Sequence, residues 1–320
     1  MFYTYKLRDW IPINKLNWYE LSSNPNAINL LKNNLNKINW NQFIYNPNNF
    51  ELLKLFPDKI NWAHLSANPD AINLLKQNPD KIVWSQLSLN PNAIELLSKN
   101  RDKIDWILFS YNINIMQFPN LDKDKISWSI LSSKWYAIDI LKENIDRINW
   151  CSLSENTNKQ AIKLLSQNLD KIDWYKLSAN PSAIKLLRQY PDKIDWVQLS
   201  LNPNGINLLK ENPEKINWGL LCCNSNIIHL FDDNQDKIDW YWLSENYNTI
   251  EILEKNQDKI DWYQLSKNLS IFTYDYDEIK NKNKDLNEEI IQKALHPKRM
   301  LRLMTEYGED EIYNCYFNDE

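Results

Sequence analysis

A tryptophan recurs at a fixed interval along most of this chain. Ten of the eleven intervals between twelve in-register tryptophans are 22 residues, and the remaining one, from Trp150 to Trp174, is 24. A fixed period of this size is typical of an array of stacked units, each of which needs a neighbour to cover its apolar face. We number the repeats 1 to 12 by their tryptophans, which are Trp18, Trp40, Trp62, Trp84, Trp106, Trp128, Trp150, Trp174, Trp196, Trp218, Trp240 and Trp262.

The consensus unit, W-x-x-L-S-x-N-P-N-A-I-x-L-L-K-x-N-P-D-K-I-D, predicts two short helices. In repeat 12, Asp261 is placed as an N-cap with Gln264 three residues later, which predicts a capping box and a helix that begins at the tryptophan. In repeat 3, Asn68 and Pro69 predict the start of a second helix, and Asn78, which precedes a proline, predicts its end. Helices this short are unstable alone, so they depend on stacking.

The sequence therefore predicts an all-α fold, an α-solenoid of about twelve 22-residue two-helix repeats with distinct N- and C-terminal caps. The predicted boundaries are 1–17 for an N-terminal entry segment, 18–272 for the array and 273–320 for a C-terminal helical cap. The second helix degrades near 107–136, which predicts an irregularity there. A leucine-rich-repeat solenoid is the alternative, because it has a similar period and an asparagine ladder. Against it, the L-x-L signature is missing and "K-I-D-W" is the one strand candidate.

Composition argues against several classes of function. The net charge of −5 and the pI near 5.4 disfavour a general nucleic-acid binder. No apolar run approaches the ~20 residues of a membrane span, and the first residues lack the core of a secretory signal. Four cysteines without C-x-x-C spacing predict reduced thiols in an intracellular protein. The three histidines are scattered and no catalytic motif is present, so we expect neither enzyme activity nor a cofactor or metal.

Three stretches carry a resemblance to a known group of proteins. "YKLRDWIPINKLNWYELSSNPNAINLL", the repeated "NPDKIDWxxLSxNPNAI" and the terminal "ALHPKRMLRLMTEYG" resemble the repeat proteins encoded by giant DNA viruses of amoebae, the mimivirus-like group. The resemblance covers essentially the whole chain and implies expression inside an infected cell, in the host cytoplasm or the viral factory, or in the virion. It implies no catalytic residues.

The first helix of each repeat carries the positions that vary most. Residues one and five after each tryptophan lie on one helical face and are rich in tyrosine and small apolar residues, which is typical of a surface that binds a protein partner. The alternative is that some of these side chains complete the packing between repeats. The predicted partner-binding residues are Tyr19, Tyr45, Leu89, Tyr111, Tyr175, Leu201, Tyr241, Trp242 and Tyr263.

A basic residue before each tryptophan offers a second reading. A column of positive charge could follow a single-stranded nucleic acid, one nucleotide to a repeat. Most of these lysines follow an Asp, Asn or Glu, however, so we expect lysines that are paired or solvated, with stems that cover tryptophan rings. The residues of the nucleic-acid alternative are Lys59, Lys81, Lys103, Lys193, Lys215, Lys237 and Lys259. A structural component of the virion is a third possibility.

Overall fold

The computed structural model describes residues 4–230, 234–284, 288, 292–308 and 312, apart from the side chains of residues 228, 229, 282 and 298. The chain forms two compact units. One is Leu7–Ile271, which holds the twelve repeats, and the other combines Met1–Lys6 with Phe272–Glu320. The chain is mostly helical, with many short helices in a regularly spaced pattern.

Each repeat opens with a short helix, helix A, whose first residue is the tryptophan, as predicted. The preceding side chain caps it: the Asn17 amide oxygen, for example, accepts hydrogen bonds from the N–H groups of Tyr19 and Glu20. Eleven repeats have Asn, Asp or Ser at this position, and repeat 4 has Val83, which carries no acceptor. The helices A are Trp18–Ser23, Trp40–Phe43, Trp62–Ala67, Trp84–Leu87, Trp106–Phe109, Trp128–Ser132, Trp150–Leu153, Trp174–Ala179, Trp196–Leu201, Trp218–Leu221, Trp240–Glu245 and Trp262–Leu265.

The predicted capping box is wrong in its second half. The backbone N–H of Asp195 donates to the hydroxyl of Ser178 in the preceding repeat at 2.9 Å, so it is not available to the glutamine three residues ahead. The Ser178 hydroxyl in turn donates to the carbonyl of Trp174 at 2.7 Å, which fixes its orientation. A buried hydroxyl held in place by its own helix is a better partner than a long side chain on the surface, since less conformational entropy is lost. The serine of the consensus therefore joins repeats.

The second half of the repeat contains a second helix, helix B, and 3-10 turns that the sequence analysis did not predict. A 3-10 turn precedes most helices A, as at Pro191–Lys193, and another precedes several helices B. Among the described residues, repeats 5, 10 and 12 show 3-10 turns where helix B is expected, at Ile115–Gln117, Ile227–Leu230 and Leu269–Ile271. The predicted irregularity near 107–136 includes the first of these. The helices B are Ile28–Lys32, Phe50–Leu53, Ile72–Gln77, Ile94–Ser98, Ile138–Glu143, Lys159–Ser166, Ile184–Gln189, Ile206–Glu211 and Ile250–Lys255.

A ladder of buried asparagines runs along the repeats on these turns. The Asn202 side chain accepts a hydrogen bond from the N–H of Asn204, which caps the second half of its own repeat. Its amide group donates to the carbonyls of Ser178 and Asn180 in the preceding repeat, both at 2.9 Å. The asparagine column thus belongs to helix caps, and in the described part of the chain both strands lie outside the repeats. This excludes the leucine-rich-repeat alternative.

The two-residue insertion in repeat 7 leaves this ladder intact. Helix B of that repeat begins earlier, at Lys159, and is eight residues long, with its first turn capped by Asn158. Asn180 in the next repeat still donates to the carbonyls of Ser154 and Asn156. The extra residues lengthen a helix on the surface and do not disturb the stacking.

The apolar consensus positions form the core between the two helices of each repeat and its neighbours. In repeat 4 three residues are fully buried: Leu87 in helix A, Ala93 in the 3-10 turn before helix B, and Leu97 in helix B. The same three positions are buried in most repeats, as with Leu199, Gly205 and Leu209 in repeat 9. In repeat 9 there is no room for a larger residue at the alanine position, because a Cβ at Gly205 would lie 2.9 Å from the carbonyl oxygen of Leu199. In repeats 5, 10 and 12 the position holds a buried isoleucine.

Repeat 1 packs on repeat 12 through the same contacts that join consecutive repeats. The N–H of Asn17 donates to the Ser266 hydroxyl at 2.8 Å, and the Asn24 amide donates to the carbonyls of Ser266 and Asn268. The Asn26 amide reaches the carbonyl of Leu269 at 3.0 Å. The series of repeat-to-repeat contacts therefore closes on itself. Repeat 1 thus packs on repeat 12 as other repeats pack on their neighbours, and the C-terminal cap at 273–320 stays a prediction.

The segment before repeat 1 completes the missing part of repeat 12. Ile13–Lys15 forms the 3-10 turn that precedes helix A in other repeats, and the Lys15 ammonium lies 4.6 Å from the Trp262 ring centre. The N–H of Arg8 donates to the carbonyl of Ile271 at 2.9 Å, and its guanidinium donates to the carbonyl of Ser270 at 2.7 Å. The stretch "PINKLNW" before repeat 1 resembles the later "PDKIDW" because both form the 3-10 turn that precedes a helix A.

The other unit contains the strands and the helices that follow the repeats. Strands β1 (Tyr5–Leu7) and β2 (Phe272–Tyr274) pair, and the rings of Tyr5 and Tyr274 stack with 5.1 Å between centres. The helices Tyr276–Lys282 and Pro297–Tyr307 follow, and the second has a proline at its first position. Gly308 ends it with φ of +98°, a conformation that favours glycine. No helix among the described residues is long and apolar enough to cross a membrane.

Candidate binding surface

Helix A displays most of the predicted partner-binding side chains to solvent. Tyr19, Tyr45, Tyr111, Tyr175, Tyr241, Trp242 and Tyr263 are all between 41% and 62% exposed. Ile107 and Val197, at the same helical positions, are exposed as well. Leu89 and Leu201 are half-buried, so they expose less surface than these aromatic residues. For these two, the alternative of packing between repeats accounts for the buried part of the side chain.

Neighbouring helices A meet in a fixed register on this face. The side chain one residue after the tryptophan lies against the side chain two residues after the tryptophan of the next repeat. The Gln198 amide donates to the Tyr175 hydroxyl at 2.7 Å, and the hydroxyls of Ser129 and Ser152 are 3.2 Å apart. The face is therefore a continuous surface across repeats.

The closure extends this register from the last repeat to the first. The Tyr263 hydroxyl donates to the carboxylate of Glu20, which is 94% buried at the junction. This hydrogen bond, together with partial desolvation of the phenol and the negative charge of Glu20, raises the pKa of Tyr263 to about 12. The sequence analysis missed this arrangement, because residues 20 and 263 are far apart in the chain and only the closed series of repeats brings them together.

The basic column is engaged by tryptophan rings. Lys215 lies over the Trp196 ring with its ammonium 4.4 Å from the ring centre. Lys103, Lys237 and Lys259 lie 4.5–4.9 Å from the ring centres of Trp84, Trp218 and Trp240, which open the repeats that these lysines close. This confirms for these four that the lysine covers the ring, and the geometry is that of a cation–π contact.

Three members of the basic column differ from this pattern. Lys59 and Lys81 pair with the aspartates that precede them, at 3.0 and 3.5 Å. Phe56 lies against Trp40 in repeat 2, and Tyr190, at the equivalent position of repeat 8, lies against Trp174. In these two repeats an aromatic ring contacts the tryptophan where Lys59 and Lys193 would be expected.

The tryptophans themselves are less buried than the packing interpretation implies. All twelve are half-buried. The ring N–H of Trp128 donates to the carbonyl of Lys123 at 3.0 Å, and among the described residues Trp128 is the one repeat tryptophan whose ring N–H makes a hydrogen bond.

The junction between repeats 2 and 3 departs from the pattern and opens a cavity of about 380 Å³. Repeat 2 has Ile44 where ten repeats have the bridging serine and repeat 10 has Cys222, and it has Asn49 at the position where alanine is commonest. The Asn68 amide accordingly contacts the Asn49 side chain at 3.5 Å in place of the two ladder carbonyls. Tyr45 and His64 line the opening, with their rings 5.0 Å apart. The two departures from consensus were the available sequence signal.

The described cysteines carry free thiols. Burial raises the pKa of Cys222 to about 11, and burial likewise raises the pKa of Cys223. The thiol of Cys151 donates to the Asp173 carboxylate at 3.1 Å, which raises its pKa. A thiol with a raised pKa is a weak nucleophile at neutral pH. Cys315 lies outside the described residues. Across the described part of the chain, no three side chains of the metal-binding types lie together.

Comparison with protein-family models, with curated proteins and with solved structures finds no match.

Proposed function

We propose that this chain is a non-catalytic α-solenoid whose repeats form a closed series, and that it binds a protein partner, viral or host, through the exposed face of helices A. The observation that carries the proposal is the contrast within each helix A. Its serine, leucine and cap residues are buried or hydrogen-bonded between repeats. The aromatic side chains next to them remain exposed and differ from repeat to repeat. Tyrosine and tryptophan are the residues that most often anchor protein interfaces.

The state of the charged side chains favours this function over catalysis or nucleic-acid binding. The repeated aspartates accept hydrogen bonds from backbone N–H groups at helix starts, as Asp195 does from Gln198. Most members of the basic column lie over a tryptophan ring or beside an aspartate, which leaves less free charge for phosphates. The resemblance to giant-virus repeat proteins adds the proposal that the partner is met inside an infected cell.

Site-specific photo-crosslinking tests which face binds. A photoreactive phenylalanine analogue would replace Tyr175 or Tyr241 on helix A, and Lys185 on helix B as the matched exposed control. In infected amoebae we expect one protein to crosslink from both helix A positions, to resist nuclease and to be absent with the probe at residue 185. Equal crosslinking from the two faces, or adducts that nuclease removes, would overturn the proposal, and the second result would favour nucleic acid.

A further inference from the structure

The closure gathers four exposed aromatic side chains that are separated in the sequence. Tyr241 and Trp242 belong to repeat 11, Tyr263 to repeat 12 and Tyr19 to repeat 1, so they occupy three consecutive helices A once repeat 1 packs on repeat 12. Their exposed fractions are 45%, 41%, 44% and 48%. We call these four residues the closure patch. Large aromatic side chains that remain this exposed in a cluster mark an interaction site more often than scattered ones do.

Two rings of the closure patch pack edge to face. Tyr241 and Trp242 are perpendicular, at an interplanar angle of 87° with 5.1 Å between centres. Trp242 occupies the position that contacts the first residue after the tryptophan of the preceding repeat, and in repeat 10 that residue is Gly219. A Cβ at residue 219 would meet only the Asn217 side chain, at 3.7 Å, so there is open space beside the indole.

Four carboxylates border the closure patch, and the lysines beside it are Lys267 and the three that lie over the tryptophans opening its helices, Lys15, Lys37 and Lys259. The cap residues Asp239 and Asp261 lie at the starts of two of its helices, Glu20 lies under Tyr263, and Glu245 is at the end of helix A in repeat 11. The cation on the same helical face is Lys267, which is 3.8 Å from Glu245.

The chain already places one cation on this patch. The Lys267 ammonium lies 5.2 Å from the centre of the Tyr263 ring. On the far side of the closed series, Tyr111 is similarly covered by Lys134 at 4.9 Å. Among the described residues, no lysine or arginine covers Tyr19, Tyr241 or Trp242 in this way. Aromatic faces carry negative electrostatic potential, and nearby carboxylates increase their affinity for cations.

We propose that the closure patch binds a basic segment of a partner protein, with arginine or lysine side chains stacked on Tyr241, Trp242 and Tyr19 and held by the neighbouring carboxylates. This inference rests on the proposed function and names the chemistry of the partner at one part of the same face. It also makes binding depend on the closure, because repeats 11, 12 and 1 each supply a ring.

Fluorescence anisotropy with two matched peptides tests the proposal. The probe is a fluorescein-labelled peptide of five Arg-Gly units, and its control replaces arginine with citrulline, which has the same shape but no charge. We expect the arginine peptide to bind the whole chain, and the citrulline peptide to bind at least about tenfold more weakly. Equal binding of the two peptides would overturn the proposal.

Variants locate the binding. Tyr241→Ala, Trp242→Ala and Glu245→Gln should each weaken binding of the arginine peptide by about 3- to 30-fold. Trp135→Ala, which removes a similarly exposed aromatic side chain from a 3-10 turn outside helix A in repeat 6, should leave it unchanged. Equal loss in all four would show general electrostatic attraction and refute the patch, as would tighter binding of a labelled oligouridylate. If the patch fails while helix A still crosslinks a protein, the proposed function stands and only its basic partner is excluded.

Discussion

Removing one rung of the asparagine ladder tests how the repeats are held together, and Asn202 is the clearest rung. Its side chain is fully buried and makes three hydrogen bonds to backbone groups, one that caps its own repeat and two that reach the preceding repeat. Asn202→Ala leaves all three groups without their partner. At about 1–3 kcal/mol for each buried group, and with some relaxation, we expect the free energy of unfolding to fall by about 3–5 kcal/mol.

Two further variants separate the parts of this effect. Asn204→Ala removes a single, more exposed bond to the carbonyl of Pro181 and should cost at most about 1 kcal/mol. Asn202→Asp keeps the capping oxygen but turns a carboxylate toward the carbonyls of Ser178 and Asn180. It should therefore be at least as destabilising as alanine at neutral pH, and should recover stability as the pH falls, because protonation restores a donor.

The assay is urea denaturation followed by circular dichroism, combined with hydrogen exchange of the Asn204 amide. Hydrogen exchange is needed because long repeat arrays can unfold in parts, so that a single transition does not measure one free energy. We expect faster exchange of the Asn204 amide in Asn202→Ala, which removes its acceptor, than in Asn202→Asp, which keeps it. If Asn202→Ala is no less stable than Asn204→Ala, the ladder does not hold the repeats together and the reasoning is refuted.

Three other predictions follow from the same framework. Cys222→Ser should stabilise the protein by up to about 1 kcal/mol, because sulfur accepts the inter-repeat bond at a long 3.4 Å where serine does so elsewhere; an unchanged or lower melting temperature would contradict this. Ser266→Ala should speed hydrogen exchange of the Asn17 amide but not of the equivalent Asn39 amide, and equal effects would argue against the closure. Burial raises the pKa of Cys222 from 9.0 to about 11 and that of Tyr136 from 10.0 to about 12, so folding favours the neutral forms of both groups. The stability that they contribute below pH 9 should therefore decline as the pH rises toward 12. A constant melting temperature between about pH 8.5 and 11 would contradict this prediction.

Local signals in the sequence predicted the helices well. An Asn or Asp before ten of the twelve tryptophans and an asparagine before most helices B are chosen by backbone hydrogen bonding over a few residues, so they can be identified without knowledge of the neighbours. Asn78, for instance, ends its helix as expected, and its amide donates to the carbonyl of Leu74 at 2.9 Å. The exposed face of helix A follows from the same helical geometry.

Contacts between repeats were harder to predict, because near-identical units offer near-identical partners. The role of Ser178 and the second half of the asparagine ladder depend on a carbonyl or N–H supplied by another repeat. Leu89 and Leu201 could be assigned to the exposed face only by their position in the helix, and the structure half-buries both against neighbours.

The sequence by itself determined a mostly helical array of twelve similar units with a varied face, because period, caps and apolar spacing act within one repeat. Tertiary structure alone decided that the series closes. Any repeat could cover repeat 12 as far as composition is concerned, and only the angle accumulated from junction to junction brings Asn17 to Ser266. That same angle creates the closure patch, because it places Tyr19 beside Tyr263 although 243 positions separate Glu20 from the tyrosine that binds it.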